Sequence, residues 1–83
     1  MSICHELRRR GDDKMIAYLH ERPAYCDRGR WRQGIEVNIF RSDADPAPRY
    51  YFDLQVGKSE TEAYLLAKKI DLTDTVWVER HYE

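Results

Sequence analysis

Apolar and polar positions change rhythm along this chain, and each change marks an expected element. Ile3 and Leu7 lie one helical turn apart behind Ser2, a residue suited to capping. Arg8-Arg9-Arg10-Gly11 closes that stretch, placing cations at the negative end of a helix dipole and a glycine after its last turn. Asp12 and Asp13 then open a second helical stretch, Lys14 to Glu21, with Met15, Ile16 and Leu19 as a narrow apolar stripe and Tyr18 at its edge. Pro23 ends it. Ile3, Leu7, Gly11, Met15 and Leu19 also recur every four residues, which allows one long helix bent at Gly11; the broken form is preferred. Tyr25-Cys26-Asp27-Arg28-Gly29 has the residues of a turn.

From Arg30 the period becomes two. Trp31, Ile35, Val37 and Ile39 share one face of a strand, and Arg30, Arg32, Glu36, Asn38 and Phe40 share the other. The polar, proline-bearing run Ser42 to Pro48 forms a hairpin loop. The second strand runs Arg49 to Val56, with Tyr50, Phe52, Leu54 and Val56 inward and Arg49, Tyr51, Asp53 and Gln55 outward. Ser59-Glu60-Thr61-Glu62 fits a capping box, and Ala63, Leu66, Ala67 and Ile70 fall on one face of the helix it opens. Asp71 to Asp74 ends that helix. Thr75 to Tyr82 alternates again, Val76 and Val78 inward, Trp77, Glu79 and His81 outward.

The expected order is helix, strand, strand, helix, strand. It predicts an α+β two-layer sandwich in which a three-stranded, mainly antiparallel sheet carries the helices on one face. Eighty-three residues allow a single small domain, 1–83, with a thin core. Six Tyr, two Trp and two Phe have to supply much of its buried area. No apolar run approaches a membrane span, and two Cys are too few for a disulfide scaffold, so a reducing cytoplasm is the expected compartment.

The net charge of −1 hides a +3 segment, residues 1–41, and a −4 segment, residues 42–83. That balance argues against both a basic nucleic-acid coat and an acidic DNA mimic. Ten of the fourteen cations are Arg, whose planar fork suits carboxylates, phosphates and aromatic faces.

Candidate chemistry is sparse. Cys4, His5, His20 and Cys26 lack the close ligand pairs of structural zinc sites, so neither a metal nor any cofactor is expected. A Cys26/His20 nucleophile pair has no orienting third group at recognisable spacing. Asp43/Asp45 and Asp71/Asp74 read as loop and cap acids rather than general acids. Gly57-Lys58-Ser59 echoes the tail of a phosphate loop, but position 52, where the upstream glycine belongs, is Phe. Arg8-Arg9-Arg10 reads as a solvated helix end neutralised by Asp12 and Asp13, ahead of a phosphate or acidic-partner contact. No catalytic residues are expected.

The outward sheet face is the more informative surface. Parity places Arg30, Arg32, Phe40, Arg49, Tyr51 and Trp77 there, with Glu36, Asp53, Glu79 and His81 among them. Trp, Tyr and Arg are the residues enriched at protein-binding hot spots, so Arg30, Arg32, Arg49, Tyr51 and Trp77 are the expected partner contacts. The same face can stack single-stranded bases, although the interspersed acids repel a phosphate backbone. Aromatic pairs and Arg–acid ladders that only stabilise the sheet are the structural alternative. A homodimer would also cover Trp77 or Tyr51.

The hairpin Arg30–Phe40 and Arg49–Val56, followed by the helix capped at Ser59, resembles small phage- or mobile-element-encoded inhibitors, including anti-CRISPR proteins, in length and element order. The resemblance implies a non-enzymatic inhibitor that docks on a protein or ribonucleoprotein complex of a bacterial host and blocks nucleic-acid binding or nuclease recruitment. Such proteins share no common residue set to carry over. The missing acid excess departs from their DNA-mimicking members.

Overall fold

Four residues are one helical turn, and they are also two repeats of a strand. The spacing of Ile3, Leu7, Met15 and Leu19 therefore fits either geometry, and in the computed structural model pairing settles it as strand. The structure describes residues 2–40 and 49–83; within the strands, the side chains of residues 23–25, 27 and 31–33 lie outside the description. Both expected N-terminal helical stretches are strands, β1 (Ser2–Arg9) and β2 (Met15–Asp27). They pair antiparallel, Leu7 opposite Ala17 and His5 opposite Leu19, which buries Leu7, Ala17 and Leu19 to 1% exposure or less. Long-range pairing overrides a modest helical preference here.

Pro23 does not end an element. Between the pairs Glu21↔Ile35 and Ala24↔Gln33, Arg22 and Pro23 together oppose Gly34 of β3 (Arg30–Ile39). Pro23 thus sits in a bulge, where a residue without an N–H costs the ladder least. The expected turn contracts to Arg28 and Gly29, whose φ values of 52° and 77° fit the two-residue hairpin that suits strand twist.

β3 pairs with β4 (Arg49–Tyr51) as the expected hairpin, and its Ile35, Val37 and Ile39 are buried as expected. The Ser42–Pro48 loop, Asp43, Asp45 and the Trp31 side chain lie outside the described residues. β4 is three residues long because Asp53 caps a helix: its carboxylate accepts from the Val56 amide at 3.0 Å. Residues 54–56, expected as strand, belong to α1 (Leu54–Ala67), and the Ser59–Glu62 motif lies inside it.

The face that α1 buries is Gly57, Thr61 and Leu65, with Leu54 and Tyr64 partly covered; Ala63, Leu66 and Ala67 are exposed. Gly57 lets the helix approach closely, since a Cβ there would lie 3.5 Å from the Tyr51 side chain and 3.6 Å from Leu19 Cδ1. At the far end Lys69 takes φ 62°, and the amides of Ile70 and Lys69 bond the carbonyls of Leu65 and Leu66. That is the doubly bonded C-terminal cap usually built on glycine.

β5 (Thr75–Tyr82) then pairs with β1, an arrangement out of reach while β1 was expected to be a helix. Among the described residues the sheet has five strands in the order β4-β3-β2-β1-β5, every neighbour antiparallel, under one helix. The expected three-stranded sheet and element order are thereby corrected, while the α+β class remains. Register also inverts two faces. Ile35↔Tyr51 and Leu7↔Trp77 turn Tyr51 and Trp77 toward the helix side, and Tyr50, Val76 and Val78 to the other. Among the described residues no helix is long and apolar enough to cross a membrane.

Two substitutions test this packing. Gly57→Ala adds a methyl at ordinary contact distance and removes a helix-interior glycine, so it raises stability by about 0.5–1 kcal/mol in urea unfolding, whereas Gly57→Leu lowers it. The Thr61 hydroxyl is buried without a hydrogen-bond partner in the described chain. Thr61→Val, close in shape, therefore raises stability by about 1 kcal/mol in the same assay.

Candidate partner-binding face

One helix covers one side of the sheet, and register assembles the other side from all five strands. Arg80, Cys4, His20, Glu36 and Tyr50 form one row across it; Val78, Glu6, Tyr18 and Asn38 form the next. Val76, Arg8 and Met15 follow, and Ser2 and Tyr82 lie at the opposite end. The solvated face of an antiparallel sheet is normally polar. Here much of it is Tyr, Val, Met, Cys and Phe. Tyr18 and Phe40 stack at 5.1 Å between centroids, and Arg22 lies 5.5 Å over the Tyr50 ring. Phe40, Tyr50 and Tyr82 are each about half exposed. A depression of about 340 Å³ opens between Cys4, Glu6, Met15, Tyr18, His20 and Tyr82.

Glu6 is the floor of that depression and is only 4% exposed. Tyr82 Oη donates to it at 2.6 Å and Arg8 Nε at 2.7 Å, and Arg80 Nε lies 3.4 Å away. Burial opposes ionisation, but the bonds from Tyr82 and Arg8 and the two guanidinium charges outweigh it, so the carboxyl titrates below its usual range. The Tyr82 phenol is pushed up because its proton is held by Glu6. Burial raises the Tyr18 phenol, and burial followed by the Glu6 charge raises the Cys4 thiol. A thiol shifted that way stays protonated and is a poor nucleophile.

The residues expected as partner contacts do not form one surface. Arg49 stacks at 4.7 Å on Tyr64 of the helix, Tyr51 packs beside Gly57, and Trp77 lies under Lys58 at 5.6 Å. All three are on the helix side. Arg30 is exposed beside the Arg28–Gly29 turn, and the Arg32 side chain lies outside the described residues. Tyr18, Met15, Glu6 and Tyr82 were not expected on this face. A period-two reading of residues 2–9 and 15–21 would have brought Glu6 and Tyr18 out, whereas Met15 joins them only through the register shift at Leu7 and Arg8.

The other sequence candidates are placed too. Cys4 opposes His20 on the uncovered face, His5 points to the helix side, and Cys26 lies six positions further along β2 than His20, about 20 Å away. Among the described residues no group of three or more side chains could hold a metal ion. His5 Nε2 lies 3.0 Å from Glu21, its Nδ1 3.9 Å from Glu79, and His81 lies 2.8 Å from Glu79. The bond from His81 holds the Glu79 carboxyl below its ordinary range. Arg9 donates to the carbonyls of Asp71 and Thr73, and the Asp71 carboxylate accepts from the Thr73 hydroxyl and amide. Gly57-Lys58-Ser59 lies inside α1 rather than in a loop before a helix. No protein-family model, curated protein or solved structure matches the chain.

Glu6 yields a signed pH prediction. Its folded pKa is depressed, so its contribution is complete above the unfolded value of about 4.3 and disappears as pH falls through the folded one. Glu6→Gln is expected to cost about 2 kcal/mol at pH 7, and the gap from wild type closes below pH ~4. Urea unfolding at several pH values checks this; a gap independent of pH refutes the role given to Glu6.

Proposed function

We propose that this is a non-enzymatic binding protein that inhibits or regulates a bacterial protein or ribonucleoprotein target, docking through the sheet face that α1 leaves open. The observation that carries the reading is the aromatic, apolar character of that face. Tyr82 lines a preformed depression, and Phe40 and Tyr50 stand half exposed on the same face. Exposed apolar area framed by polar groups is what a protein interface requires. Tyr brings large contact area at low conformational cost, and Arg8 and Arg80 are already immobilised on Glu6, which lowers the entropy lost on docking. The depression can accept one anchoring side chain of the partner. With the Cys4 thiol held protonated and Glu6 committed to two hydrogen-bond donors and the Arg80 charge, this face is better equipped to recognise than to react.

A single-stranded nucleic-acid module on the same face is the competing reading, and it needs cations free for phosphate. Arg8 and Arg80 are held by Glu6, and Arg22 lies 3.7 Å from Glu36. That favours a protein surface.

The test is affinity capture from bacterial lysate with wild type and Phe40→Ala/Tyr50→Ala, both residues being exposed enough to change without unfolding the chain. If they are hot spots, the double variant loses about 2 kcal/mol or more, near thirty-fold in Kd for the captured partner. A partner bound equally well by the folded double variant sinks the assignment. Labelled oligonucleotides titrated at low and high salt decide the competitor: tight binding that falls steeply with salt replaces the protein reading.

A further inference from the structure

The sheet has two edges, and they are finished differently. β4 is three residues long and tied to the helix through Arg49 and Tyr51. β5 is eight residues long, and its ladder with β1 runs without a bulge from Ser2↔Tyr82 to Arg9↔Thr75. It contains neither Pro nor Gly, and α1 lies over β2, β3 and β4 rather than over it. Among the described residues, no strand pairs with its outer side. Exposed edges are usually guarded by free charges, prolines or bulges. The charges of β5 are engaged within the chain instead, Glu79 with His81 and Arg80 with Glu6.

We infer that β5 is a self-association edge whose occupant is the β5 of a second copy, paired antiparallel across a two-fold axis perpendicular to the sheet. Such an axis keeps helix side against helix side, so opposed residues must share parity. Centring on Glu79 or Arg80 opposes like charges, which is unfavourable. Centring on Val78 opposes none. Val78 then meets Val78, Trp77 meets Glu79, Val76 meets Arg80 and Thr75 meets His81. A register centred on Trp77 also avoids like charges but pairs a shorter length of the strand. The Val78 register joins two five-stranded sheets into one, with both helices on the same side. It pairs the backbone of the β5 edge, far from Phe40 and Tyr50, so the docking reading can fail without touching it.

Sedimentation of the full chain over a range of micromolar concentrations, beside Val78→Lys, tests the interface. Wild type is expected to show a concentration-dependent dimer, and Val78→Lys, which brings two ammonium groups together at the axis, to weaken it at least about tenfold. A cysteine readout does not depend on the folding of that variant. With Cys4 and Cys26 replaced by Ser, Val78→Cys should form an intermolecular disulfide under mild oxidation. Thr75→Cys should not, because its copies lie about 20 Å apart in this register. A monomer at every concentration, a dimer that folded Val78→Lys leaves intact, or cross-linking at Thr75→Cys rather than Val78→Cys overturns the assignment.

Discussion

Among the described residues a single helix of fourteen residues, about 21 Å long, packs on the five-stranded sheet, and it lies on one side only. The other side must be held together in water by its own side chains. Each notable feature of that side answers this constraint. Tyr18 and Phe40 shield each other by stacking, Arg22 lies over Tyr50, and Glu6 gathers Tyr82, Arg8 and Arg80 from two strands. Such a face is held in one arrangement by its own contacts, and low reorganisation cost is what the proposed docking would draw on.

The helix side shows the complementary economy. Because α1 sits over β2, β3 and β4, the core beside β1 is completed by Ile70 and Leu72 from the segment leading to β5 and by Trp77 of β5 itself. Leu7 links the two ends of the chain, pairing with Ala17 on one flank and Trp77 on the other. The two segments of the chain, 1–41 and 42–83, also meet through polar side chains on the sheet. Arg80 lies against Glu6, and His5 lies between Glu21 and Glu79.

Some of this was legible in the residues. Ile35, Val37 and Ile39 can alternate only as a strand, and with the polar segment after Phe40 they implied the antiparallel pairing with the strand at Arg49. A helix between that hairpin and the last strand was also legible. Its start and buried face were not, because Asp53 takes over the capping and the helix is seated through Gly57 and Thr61, which carry no apolar signal.

Alternation and turn chemistry are local properties, so the sequence by itself determined the class of the fold, the central hairpin and the weakness of the metal and phosphate-loop motifs. Only the tertiary structure decided that residues 2–9 and 15–27 are strands, since a spacing of four satisfies both periods until a partner strand supplies hydrogen bonds. It also decided which side of β4 and β5 faces the helix. In Tyr50-Tyr51-Phe52 and Val76-Trp77-Val78 both parities are apolar, and the choice falls to the register with Ile35 and Leu7. That choice moved Tyr51 and Trp77 toward the core and left Tyr50, Val78 and Tyr82 on the open face.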